Sequence, residues 1–146
     1  MLYPYAVIIH LLCAIGFIGV VFFEVFILEG MRPHLGHATM EAVEAGLVRR
    51  ARQIMPFVVG LLFLSGFYLG YEQFSASGLS WNNSFSVLLS IKVALALSVL
   101  VHFITAMRAA ATGCMSSDRF RRTHISVFIH MVLIVILAKS MFYFAW

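Results

Sequence analysis

Four long apolar stretches separated by three polar segments organise the chain. They run from about Tyr5 to Leu28, Ile54 to Tyr71, Phe85 to Met107 and Thr123 to Phe144. Each approaches or exceeds the roughly 20 residues that a helix rising about 1.5 Å per residue needs to cross a bilayer. The pattern predicts an all-α integral membrane four-helix bundle, one transmembrane domain over residues 1–146, with no stretch left over for a second, soluble domain.

The segments between these stretches differ in kind. Glu29 to Gln53 is polar and holds Pro33 and Gly36, Glu72 to Ser84 is rich in Ser, Asn and Gly, and Arg108 to Arg122 is basic. Within the first, Ala38 to Arg52 reads as a helix, with Glu41 and Glu44 early and Arg49, Arg50 and Arg52 late, as the helix dipole prefers. It is expected to extend the second span beyond the bilayer. Pro56 then falls inside that helical pattern, where it removes a hydrogen bond and favours a kink.

Charge orients the spans. Of the 146 residues, 62% are hydrophobic and 11% charged, against about a quarter charged in soluble domains, so lipid is the expected surrounding partner. All eight arginines (32, 49, 50, 52, 108, 119, 121 and 122) lie in or beside the first and third connections, while the second has Glu72 and no Lys or Arg. The positive-inside rule then places the first and third connections in the cytoplasm and both termini on the other side, as for a multi-pass protein of a bacterial inner membrane. Tyr3, Tyr5, Tyr71, Trp81, Tyr143 and Trp146 would gather at the outer interface, where amphipathic rings settle. This topology accounts for a pI near 9.4 without invoking nucleic acid. Met1 to Tyr5 lacks a basic leader and no small-residue cleavage site follows, so the first span is expected to be retained. Cys13 and Cys114 form neither a disulfide framework nor a zinc motif.

Ionisable residues inside spans cost several kcal/mol unless paired, neutral or hydrated, so each is a candidate for function. They are His10, Glu24, Lys92, His102, His124, His130 and Lys139. On the predicted orientation His10 and Lys92 lie in the outer half, Glu24, His102 and His124 in the inner half, His130 nearer the midplane, and Lys139 near the outer surface, where it can snorkel. His10, Cys13, Phe17, Val21 and Glu24 share one stripe of the first helix, which should face the interior. Lys92 and His102, offset by about 80° around their helix, could line adjacent parts of one face. His124 and His130 point about 120° apart and should not meet the same group.

Imidazoles on facing helices suit axial ligation of a noncovalent haem b, with His10, His102 and His130 as ligand candidates and Lys92 as the charged partner of cofactor or substrate. No Cys-x-x-Cys-His attachment sequence occurs. Copper at the same histidines is the alternative, but the eight Met are scattered without a Met-rich patch. Each feature also has a plain structural reading. A lone His can bridge helices by hydrogen bonding, His124 and Glu24 can sit at the interface, and Gly66-x-x-x-Gly70 can serve close helix approach or a homodimer.

The order of these residues resembles a family. A His at the start of the first helix followed by a Gly-containing apolar run (His10 to Gly19), then a Lys early and a His late in the third (Ile91-Lys92-Val93, Val101-His102-Phe103), look like HemJ-type protoporphyrinogen oxidases and the related CopD-like proteins, and the likeness covers most of the chain. It implies a haem b in the bundle and, on the HemJ side, oxidation of a porphyrin substrate with electrons passed onward. His10 and Lys92 would be the functional pair and His102 the third-helix histidine. The CopD-like side implies copper handling. Where HemJ-type proteins carry a basic residue and a His late in and just after the first helix, this chain has Glu24, Phe26 and Glu29. Three functions are thus in play: a haem-dependent, quinone-linked or HemJ-like oxidoreductase with Lys92 catalytic, a copper carrier, or a non-catalytic subunit of a larger membrane complex.

Overall fold

The computed structural model describes residues 2–77, 84–114 and 116–144. Four helices long and apolar enough to cross a membrane make up nearly all of it, and no strand occurs among the described residues. The expected all-helical architecture, with four helices able to cross a membrane, is therefore observed.

Helix α1 (Tyr3–Phe22) starts on Pro4, whose fixed φ suits a first helical turn. It continues through a π-helical turn (Phe23–Leu28), in which the Glu29 N–H reaches back five residues to the Glu24 carbonyl, and ends in a short α turn and a 3-10 turn at His34. Helix α2 (His37–Ser77) is 41 residues long, or about 60 Å, twice the hydrocarbon thickness. The arginine-bearing helix expected in the first connection is thus its opening half. The helix runs unbroken through Pro56.

Helix α3 (Ser84–Ala111) ends where Gly113 takes a φ of +69° and the Cys114 N–H bonds the Ala109 carbonyl, the six-to-one closure that favours glycine. Helix α4 (Ser117–Ser140) opens on Ser116, whose hydroxyl accepts from the Arg119 N–H, with Asp118 in the first turn. Of the expected interfacial aromatics, Trp81 and Trp146 lie outside the described residues, as do residues 78–83 of the second connection.

The helices pack as two antiparallel hairpins. α1 lies closely along α2 and α3 along α4, while α1–α4 and α2–α3 meet more sparingly. Phe17 and Val21 of α1, Val59 of α2, Val99 of α3 and Val127 and Met131 of α4 form the shared core, with Phe17 set edge-on to Phe103 at 6.5 Å. Large apolar side chains such as Ile15, Phe57, Leu64, Val101 and Ile136 point outward, as acyl chains require.

Each end is tied by polar contacts. At one, the Gln73 amide donates to the Tyr3 hydroxyl at 3.0 Å and the Ser84 hydroxyl donates to the Phe144 carbonyl at 2.9 Å. At the other, which carries the arginines, the Arg32 guanidinium donates to Glu29 at 2.7 and 2.9 Å, to Glu44 at 2.6 Å and to Ser117 at 2.9 Å. One side chain thereby joins the end of α1 to the starts of α2 and α4, over a small core of Leu28, Met40 and Phe120.

Because Glu44 is 6% exposed, Arg32→Ala strands a buried carboxylate. The substitution is expected to destabilise the protein by about 2 kcal/mol, with Arg32→Lys recovering only part because an ammonium lacks the planar fork. Chemical unfolding in mild detergent followed by circular dichroism measures this, and equal stability of Arg32→Ala and the parent would contradict the clamp.

Candidate functional site

The interior polarity is built on imidazoles. His102, His124 and His130 each place Nδ1 2.8 Å from the carbonyl four residues earlier on the same helix, at Ser98, Phe120 and Ser126. A carbonyl can only accept, so Nδ1 carries the proton in all three and Nε2 is the atom presented sideways to a neighbouring helix.

Across the α3–α4 seam this produces a reciprocal pair. The Ser126 hydroxyl donates to Nε2 of His102 at 3.2 Å, and the Ser98 hydroxyl donates to Nε2 of His130 at 3.1 Å. Ser-x-x-x-His on one helix thus meets Ser-x-x-x-His running the other way, with ring centroids 5.4 Å apart. Two neutral imidazoles are satisfied without a net charge in the apolar interior, where an unbonded polar group would be penalised. Two of the three expected ligand histidines are therefore brought together.

His10 stands on the other seam. Its Nδ1–H points across to α2, 3.0 Å from the Leu62 carbonyl and 3.2 Å from the Ser65 hydroxyl, which itself donates to the Leu61 carbonyl at 2.6 Å. Gly66 is what lets the ring lie this close: a Cβ there would come within 3.0 Å of its Cε1. Gly66 thus admits an imidazole within the chain. No described group bonds Nε2 of His10. Lys92, half-buried on α3, lies within electrostatic reach of His10 and hydrogen-bonds to no described residue.

At the arginine-bearing end, the π turn of α1 presents Glu24 inward, 4% exposed. Its Oε2 lies 2.8 Å from Nε2 of His124, an ion-pair contact, and has no hydrogen-bond partner among the described residues. Since Nδ1 of His124 already donates to a carbonyl, a contact this short is incompatible with two bare lone pairs, so the pair holds a proton on one side or the other. Imidazolium with carboxylate and imidazole with carboxylic acid are both neutral overall. The sequence offered interfacial placement of both residues as the plain alternative to a functional role, and their pairing comes from the fold.

Glu24, His102 and His124 share a cavity of about 60 Å³ between the two hairpins, lined otherwise mostly by apolar groups such as Phe17, Met55 and Phe103. It has room for about two water molecules at roughly 30 Å³ each, and is far smaller than the ~300 Å³ or more of an ordinary small-molecule pocket. Among the described residues no three His, Cys, Asp or Glu side chains converge as a metal cluster. Lys139 lies exposed in the last turn of α4. Comparison with known proteins finds no family model, no curated protein and no solved structure that matches the chain.

Sequence reading missed Ser65, Ser98 and Ser126 as the partners of the imidazoles. The repeated four-residue spacing of Ser98 to His102 and Ser126 to His130 was the available signal. The reciprocity makes a prediction: Ser98→Ala and Ser126→Ala should each destabilise by about 1 kcal/mol, with Ser98→Ala adding little once His130 is replaced by Phe. A double-mutant cycle on unfolding free energy measures it, and full additivity would show that the two side chains do not interact.

Proposed function

We propose that the protein is a haem b-binding membrane protein with a redox role, seated in a bacterial plasma membrane with both termini on the non-cytoplasmic face. The observation that carries this reading is the state of His10. Its Nδ1–H is held by a backbone carbonyl, the arrangement that orients a metal-ligating imidazole and raises its basicity, and its Nε2 has no partner among the described residues. The other intramembrane imidazoles have Nε2 engaged by Ser98, Ser126 or Glu24.

The donor chemistry fits a haem at His10. The ring is half-exposed on the flank of the bundle, and Lys92 supplies a cation for a propionate or an acidic substrate. The interior cavity of about 60 Å³ does not fit a macrocycle, so His102 and His130 serve in this reading to hold the α3–α4 seam. A bound haem would supply one-electron chemistry. The chain's own contribution is to orient the ligand through Leu62 and Ser65, admit the ring over Gly66 and place Lys92 beside it. The orientation rests on the arginines, which lie at one end of the bundle with the Arg32 clamp. The resemblance to HemJ-type and CopD-like proteins points the same way and makes a porphyrin or a quinone the substrate class to test first.

The purified full-length protein is expected to show a Soret band that shifts on dithionite reduction. His10→Ala should lose it, His102→Ala should keep it, and Gly66→Val, which crowds the ring, should weaken it. A porphyrin-free protein carrying stoichiometric copper would favour the copper-handling alternative, and one with neither that copurifies with a partner would favour a subunit role. A Soret band unaffected by His10→Ala would remove His10 as ligand.

A further inference from the structure

One buried titratable pair has no part in the haem reading. We infer that Glu24 and His124, with the cavity beside them, form a proton-exchange site between the water at the arginine-bearing end and the interior of the bundle. The inference goes beyond the haem reading and uses no cofactor.

Four features support it. The first is the cost of the arrangement: Glu24 is 4% exposed on an apolar helix, where a carboxyl is expensive unless it is neutralised or used. Its partner neutralises it, but a Leu at this position would need no partner.

The second is the backbone. The π turn of Phe23–Leu28 widens α1 at this residue, and such turns collect at functional sites. The third is the asymmetry of the pair. His124 has a side chain 21% exposed, against 4% for Glu24, so one member is open to the surroundings of the bundle and the other lies inside.

The fourth is the cavity, which the carboxyl and the imidazole both line and which has space for about two waters. Oε2 of Glu24 is closed off from water and meets only His124 among the described residues, so a water in the cavity would reach the carboxyl at its other oxygen.

The charged surroundings give a path outward. Glu29 lies within electrostatic reach of His124, and Arg121 of α4, itself half-exposed, sits 3.8 Å from Glu29. Glu29 is also held by Arg32, which in turn binds Glu44 of α2. From α3 the titratable group facing the cavity is His102, and from α2 the lining is Val48, Ala51 and Met55, all apolar.

The exchange balances as follows. The resting pair holds one proton between Nε2 and Oε2 and is neutral. A second proton from water at the arginine-bearing end converts it to an imidazolium beside a neutral carboxylic acid. Return of one proton, by way of the cavity water, to the water at that same end restores the resting pair, so the net event is exchange and not transport.

The test uses the full chain in lipid vesicles with the arginine-bearing loops outward. Infrared difference spectra follow separate pH steps on the two sides. A protonated-carboxyl band is expected that disappears in Glu24→Gln, shifts in His124→Gln and responds about tenfold faster to a step on the arginine-bearing side than to one on the other.

Ala106→Leu fills the cavity without touching the pair. In protein labelled with carbon-13 at the glutamate carboxyls it should leave the band in place while slowing deuterium exchange into it about tenfold, and this arm stands even if Glu24→Gln fails to fold. Persistence of the band in a folded Glu24→Gln, faster response from the opposite side, a band that no pH step moves, or an unchanged exchange rate in Ala106→Leu would each overturn the inference. The Soret band is read in the same samples, so loss of the haem reading and loss of the exchange site register separately.

Discussion

A bilayer offers no water to a buried polar group, and the organisation of this protein follows from that constraint. Every interior imidazole commits Nδ1–H to a backbone carbonyl, three of them to the carbonyl one turn back on their own helix. The carbonyl's second lone pair is used, so the helix keeps its own bond. What remains is a single acceptor, Nε2, aimed at whichever helix lies alongside. The choice of partner then sets what each site can do. A serine hydroxyl makes a lock at His102 and His130, a carboxyl makes a close ion pair at His124, and His10 keeps an Nε2 with no described partner.

The two hairpins divide these roles. Between α3 and α4 the reciprocal Ser–His contacts hold an antiparallel register, much as paired polar residues fix register in membrane bundles. Between α1 and α2, Gly66 removes the side chain that would keep His10 at a distance. The hairpins themselves meet through fewer contacts, and it is along that looser junction that the cavity opens and Glu24 turns inward. Tight packing inside each hairpin thus leaves the polar interior space between them.

The arginine-bearing end adds a second kind of order. Arg32 holds Glu29, Glu44 and Ser117 in one network, so the ends of three helices are fixed relative to one another where the chain leaves the apolar region. The guanidinium suits this task because its planar fork serves several acceptors at once. The same network lies next to the Glu24–His124 pair and sets the charges around it.

Much of this was legible in the sequence. The four spans, the helical extension ahead of the second one and the inward stripe of Phe17, Val21 and Glu24 follow from periodicity and length, because a helix in lipid must satisfy its backbone locally and show its apolar side chains outward. The list of ionisable residues within the spans was legible too, since it depends only on which span carries them, whereas the burial of Glu44 under Arg32 was not. What the sequence left open was partnership. Ser98 and His130 are 32 residues apart, Glu24 and His124 a hundred, and Arg32 and Ser117 85. A hydrogen bond demands about 3 Å and a defined direction, and periodicity along one helix says nothing of the rotation and depth of its neighbour. Only the packing of α3 on α4, and of α1 against both its neighbours, decided which imidazole was locked, which was paired and which was left with a nitrogen to offer.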